Sequence, residues 1–228
     1  MPARRVSVTP NEPLLRWEWI LDHADEIWQR LLEHVTLTML AVGIGFALSF
    51  ALVVVIRRYH CLRDPITWLA GVLYTIPSLA LFALLVPVTG LTRLTAEIGL
   101  VSYTLLILIR SILDGLLSVP AEVRETAIGM GCTPGQLLWR VEIPLAVPVV
   151  IGGLRVATVT TIGLVTVTAL IGQGGFGYFI LLGMQRFFST ALIVGATLSI
   201  LLAVLADGLL VLAQHWTTPW ACARRRRA

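Results

Sequence analysis

Along the chain, long uncharged apolar runs alternate with short stretches that collect the charges. The first run, Val35 to Ile56, is closed by Arg57, Arg58 and Arg63, and its 22 residues are long enough as a helix to cross a hydrocarbon core of about 30 Å. The same pattern predicts a second span at 66–88. Pro77 lies in its middle, where a lost backbone donor kinks a helix. Further spans are predicted at 98–117, 145–171 and 190–213. The expectation is an all-α, polytopic membrane protein with five core helices in a membrane domain at 34–214.

The flanking segments differ in character. Residues 1–33 mix Trp17, Trp19, Ile20, Ile27 and Trp28 with Asp22, Asp25, Glu26 and Glu33, a composition suited to a helix on a membrane surface. They contain no apolar stretch of the kind a cleavable signal needs. Residues 215–228 form a basic tail, and Arg224 to Arg227 suit anionic headgroups.

Composition removes the soluble alternative. The chain is 57% hydrophobic and 13% charged, against roughly a quarter charged in soluble domains. Its net charge of +4 comes from seventeen arginines and no lysine. These lie mostly at the ends of apolar runs, where membrane orientation accounts for them without nucleic acid. A cytoplasmic C-terminus puts nine on the cytoplasmic side: Arg57, Arg58, Arg63, Arg124, Arg140 and Arg224 to Arg227. Only Arg93 and Arg186 lie in the loops opposite. The expected location is the cytoplasmic (inner) cell membrane, with several crossings. Arg4, Arg5, Arg16 and Arg30 would then be external, which leaves open an extra crossing or a cytoplasmic N-terminal piece. Cys61, Cys132 and Cys222 suggest neither a disulfide framework nor a metal site. His23, His34, His60 and His215 show no metal-ligand spacing and are expected at surfaces or interfaces.

One polar insert, residues 118–144, interrupts the apolar pattern. Pro120, the early acids Glu122 and Glu125, and Gly131 as a cap mark a short helix from about Pro120 to Met130. Thr133-Pro134-Gly135-Gln136 then reads as a capping box opening a second helix, which Ile143-Pro144 should end. Val123, Ala127 and Met130 form one apolar stripe, while Gly129 and Gly131 remove side chains where a neighbour approaches. The two short helices read as a hairpin built to dock on a soluble partner.

The spacing Glu125, Ala127, Gly131, then Val141-x-Ile143-Pro144 resembles the EAA loop of ABC-transporter permeases, with Thr126 at the motif's middle Ala. Three further stretches, 74–91, 127–159 and 169–185, resemble the osmoprotectant uptake branch, which imports glycine betaine, choline, carnitine or proline. The resemblance implies a type I importer permease whose coupling helix, with Glu125, Thr126, Ala127, Gly131, Val141, Ile143 and Pro144, fits a groove on an ATPase. It also implies a second permease, identical or a sister subunit, and an external solute-binding protein. The solute would be small and polar or a quaternary ammonium compound.

No catalytic residue or cofactor is expected in the chain itself. A phosphate loop needs a lysine and none exists, so ATP and Mg are expected on the partner ATPase. Gly172 to Gly177 spell GxGxxG, but no acid follows before Asp207, so Gly172, Gly174, Gly175 and Gly177 read as a tight turn near the solute path or a neighbouring helix. Ionisable groups in spans are functional candidates. Arg110 and Asp114 lie one helical turn apart, and Arg155 and Asp207 fall at depths that allow pairing. Tyr74, Tyr103, Phe176, Tyr178 and Phe179 offer faces to a cation, yet a solute cage is expected in the external protein, so no solute site is assigned. Other readings are a permease for another small solute such as an amino acid, and a secondary transporter, which would show internal repeats. A membrane enzyme would need convergent catalytic groups, which the sequence lacks.

Overall fold

The computed structural model describes residues 14–217, so Arg4, Arg5, Cys222 and Arg224 to Arg227 lie outside the described residues. Among the described residues ten α-helices follow one another: α1 (Trp17–Asp22), α2 (Ala24–Arg58), α3 (Arg63–Thr75), α4 (Ser78–Thr89), α5 (Arg93–Leu117), α6 (Ala121–Gly129), α7 (Pro134–Leu137), α8 (Ile143–Val167), α9 (Gly177–Arg186) and α10 (Ser189–Thr217). No strand occurs among the described residues.

Four helical stretches are long and apolar enough to span a membrane: α2, α5, a continuous rod from Pro134 to Ile171 that contains α8, and α10. A fifth follows if α3 and α4 count as one broken span, since they meet at 97°. The break is sharper than the kink expected at Pro77. Both Ile76 (ψ 125°) and Pro77 (ψ 136°) are extended, as proline forces on the residue before it. The freed Ile76 carbonyl accepts a hydrogen bond from the Tyr103 hydroxyl on α5, as backbone at membrane depth requires.

Three further differences from the expected elements have local causes. Residues 24–33 contain no helix breaker, so α2 starts at Ala24, well before the apolar run, and only α1 stands apart as a surface piece. Pro144 does not end its helix. The backbone widens into a π turn over Leu138–Glu142 just before it, which absorbs the missing donor and the ring's clash with the preceding turn. The segment between the fourth and fifth spans is not a bare loop, because it contains α9, whose Gly183 lies against Leu192 of α10.

Helix α5 packs between α2 and α8 through small residues. A Cβ at Gly45 would stand 1.9 Å from Thr104 Oγ1, and one at Gly153 would stand 2.0 Å from Ser111 Oγ. Without a hydrophobic force between helices in lipid, such close backbone approach is what holds them together. Two buried layers result. Leu37, Ala41, Phe82, Ala96, Leu100 and Val165 fill one end of the bundle, and Val53, Ile56, Ala70, Leu106, Ile109 and Ile112 the other.

Candidate functional site

The polar insert forms a helical hairpin, and its joint follows from two local motifs. Gly131 adopts φ +84°, a left-handed position open to glycine without a Cβ penalty. The Cys132 N–H donates to the Ala127 carbonyl (3.1 Å) and the Gly131 N–H to Ile128 (2.9 Å), which closes α6 as a Schellman motif. One residue further, Thr133 Oγ1 accepts from the Gln136 N–H at 3.3 Å while Gln136 Oε1 accepts from the Thr133 N–H at 2.9 Å. This capping box starts α7, with Pro134 in its first turn.

Glu125, Thr126 and Gly131 are exposed, Ala127 is buried, and Val141, Ile143 and Pro144 are half-buried. A hollow of 300 Å³ lies between α6 and the π turn that follows α7, bordered by Val123, Thr126, Ala127, Met130 and Val141. At the tip Ile128 is 58% and Met130 74% exposed. The hairpin thus presents apolar side chains outward beside Glu122 and Glu125.

Its attachment to the spans runs through a residue that the sequence reading passed over. Glu142 is 2% exposed, and its two carboxylate oxygens meet two arginines from distant parts of the chain. Arg57, at the end of α2, donates to Oε2, and Arg124 Nε on α6 lies 3.2 Å from Oε1. Arg124 also donates to the Leu116 carbonyl near the end of α5. In the same π turn, Trp139 lies with its ring centroid 5.9 Å from that of Phe50 on α2. A signal was present in the sequence: Glu142 is the only acid between Glu125 and Asp207.

At the opposite end, the glycine segment folds against α2. Gly172, Gly174 and Gly175 all have positive φ, and a Cβ at Gly175 would stand 2.5 Å from that of His34, while one at Gly177 would strike the Thr166 carbonyl. His34, expected at a surface or an interface, is fully buried where α2 meets α8 and the glycine segment. Its Nδ1 accepts from the Phe176 N–H (3.4 Å), so Nε2 carries the proton and donates to the Ile162 carbonyl (3.1 Å). The Gly174 N–H reaches Glu33 Oε1 at 3.3 Å, and the Arg30 guanidinium lies 4.0 Å over the Tyr178 ring. Phe176 and Phe179 are buried in the core, so they offer no free face to a cation.

Of the charged residues in the spans, the structure brings Arg155 and Asp207 together and leaves Arg110 and Asp114 apart. Arg155 on α8 makes a bidentate pair with Asp207 on α10, at 2.7 and 2.8 Å, with both side chains about one-third exposed. Arg110 and Asp114 are both exposed and form no ion pair with each other among the described residues. Arg110 instead borders an open hollow of 600 Å³ with Asp64, Trp68 and Tyr74. Among the described residues no cluster of His, Cys, Asp and Glu is placed to hold a metal.

A lysine-free helical bundle with one broken span and a braced polar hairpin has the architecture of a membrane permease that draws its energy from elsewhere. The chain belongs to the family described as binding-protein-dependent transport system inner membrane component, whose model matches residues 41–218. It is 38% identical over 206 residues to the osmoprotectant import permease protein OsmW of Salmonella typhimurium, covering 88% of this chain and 96% of that one. It is 31% identical over 202 residues to the choline transport system permease protein OpuBB of Bacillus subtilis, covering 89% and 93%. Its fold is shared with the inward-facing MetNI methionine ABC transporter at a TM-score of 0.74 and 20% identity, covering 88% of this chain and 97% of that one. The chain is accordingly a permease subunit of an ABC importer, a non-catalytic membrane component whose family places the ATPase in a separate subunit.

Proposed function

We propose that this permease imports a small osmoprotectant, a quaternary ammonium compound or related zwitterion, using ATP hydrolysed by a partner that docks on the hairpin Ala121–Leu137. The observation that carries the reading is the hairpin itself: an exposed apolar tip at Ile128 and Met130, a hollow beside α6, and a buried carboxylate bracing it to the spans. The relatives OsmW, an osmoprotectant permease, and OpuBB, a choline permease, suggest the solute class. The hairpin and the C-terminus lie in the cytoplasm in this reading, as the distribution of arginines favours. A second permease, the same chain or a sister, completes the pathway, and an external binding protein delivers solute at the end that carries the loop between α4 and α5. ATP binding closes the ATPases and tilts the pathway outward, and hydrolysis resets it.

Photo-crosslinkers placed singly at Met130 and at Leu91, exposed residues at opposite ends of the bundle, test this arrangement. The Met130 probe should capture the ATPase and the Leu91 probe the binding protein. Capture of the binding protein by Met130 would contradict the proposal.

A further inference from the structure

Helix α6 is tied to its neighbours by two backbone links, Ser118 to Pro120 from α5 and Met130 to Thr133 to α7, while α7 runs through the π turn into α8 without a break. Both are non-helical, and the second turns on Gly131 at φ +84°. Links of this kind act as hinges, so a push on α6 would swing that arm about Gly131 and dissipate unless something braced it. The bracing group is Glu142. It sits in the π turn at the base of α8, with one oxygen on Arg124 of α6 and the other on Arg57 of α2, a helix 85 residues away and without backbone continuity to the hairpin. Arg124 in turn holds the Leu116 carbonyl at the end of α5. One buried carboxylate and its two arginines therefore tie together four elements: α2, α5, α6 and the base of α8.

We propose that Glu142 is the positioning residue that makes the hairpin, α8 and α2 move as one body, so that a displacement imposed on α6 reaches α2 through Arg57. This inference rests on the docking role assigned to the hairpin. The chemistry suits a transmitting joint. A carboxylate shared between two guanidinium groups resists shear in any direction that lengthens either pair, and its burial shields it from salt. An apolar cavity of 110 Å³ adjoins the joint, bordered by Phe50, Leu138, Ala146 and Val150 among others. Packing of α2 on α8 is incomplete there, so the ion pairs add to the side-chain contacts that Phe50 and Val150 make at this level.

The test uses the whole transporter, permease with its ATPase and binding protein, in proteoliposomes. Glu142→Gln keeps the shape and removes the charge. ATP hydrolysis should persist while solute uptake falls, raising ATP consumed per solute by about tenfold, the effect of losing one charge-assisted hydrogen bond. Loss of assembly alone would lower hydrolysis and uptake together and leave that ratio unchanged. Spin labels at Ile128 and Val55, in a background lacking Cys61, Cys132 and Cys222, should give one narrow distance that broadens in the variant. If Glu142→Gln does not assemble, Arg57→Gln carries the same test, because it leaves Glu142 paired with Arg124. An unchanged ratio together with an unchanged distance distribution overturns the joint. Absence of ATP-driven uptake by the wild-type complex would instead overturn the docking role on which it rests.

Discussion

Gly131 offers the sharpest separation between two reasons for a glycine at the hairpin's turn. One reason is conformational, since its φ of +84° lies in the left-handed region. The other is spatial, a partner's surface coming too close for any side chain. Within the chain there is room, because a Cβ at this position would meet nothing within 4 Å. An L-residue in that region costs roughly 1–2 kcal/mol. Gly131→Ala should therefore lower the fraction of correctly turned hairpins by about 5- to 30-fold. Asparagine visits positive φ several times more readily than most residues, and β-branched valine is the most strained there. The conformational account predicts uptake in the order Gly, Asn, Ala, Val. The assay is ATP-dependent uptake by reconstituted complexes, with the bundle's melting temperature measured alongside and expected to move little. Uptake that is lower for Gly131→Asn than for Gly131→Ala would mean that side-chain size, not backbone conformation, governs the site, and the reasoning would fail.

Other predictions concern the spans and the hairpin's second arm. Gly153→Ala places a Cβ 2.0 Å from Ser111 Oγ and should destabilise the α5–α8 crossing by about 1–3 kcal/mol, seen as a lower melting temperature. Adding Ser111→Gly leaves the Ser111 Cα at 3.6 Å as the nearest obstacle and should recover most of the loss; a double variant no better than the single would show that the helices do not cross there. Arg155→Asp and Asp207→Arg should each reduce the amount of assembled permease in membranes, and the two together should restore it, whereas equal loss in all three would refute the pair. Thr133→Ala removes the cap of α7 and should cost about 1 kcal/mol locally, read as faster amide exchange over residues 133–137.

Elements that depend on local chemistry were legible before the structure. The apolar runs mark the spans, Gly131 marks the end of α6, and Thr133 with Gln136 marks the start of α7. What stayed hidden depends on neighbours distant in sequence. Proline at 77 announces a bend, but its angle of 97° follows from an extended Ile76 whose carbonyl is satisfied by Tyr103, 27 residues on. Pro144 reads as a stop, and only the π turn before it lets the helix continue. His34 looks like a surface or interface residue until the glycine segment folds over it and gives both ring nitrogens a partner. Glu142 sits next to an apolar span, and its two partners lie 85 and 18 positions away on other helices, so no single helix connects it to either.

Uptake of radiolabelled glycine betaine, choline and proline into proteoliposomes, with and without ATP and the ATPase subunit, tests the central claim most directly. Uptake of at least one of these solutes that needs both ATP and the ATPase, and that Gly131→Val strongly lowers while the permease stays folded, is the predicted result. Uptake that proceeds without the ATPase would contradict the account and make the chain a transporter in its own right.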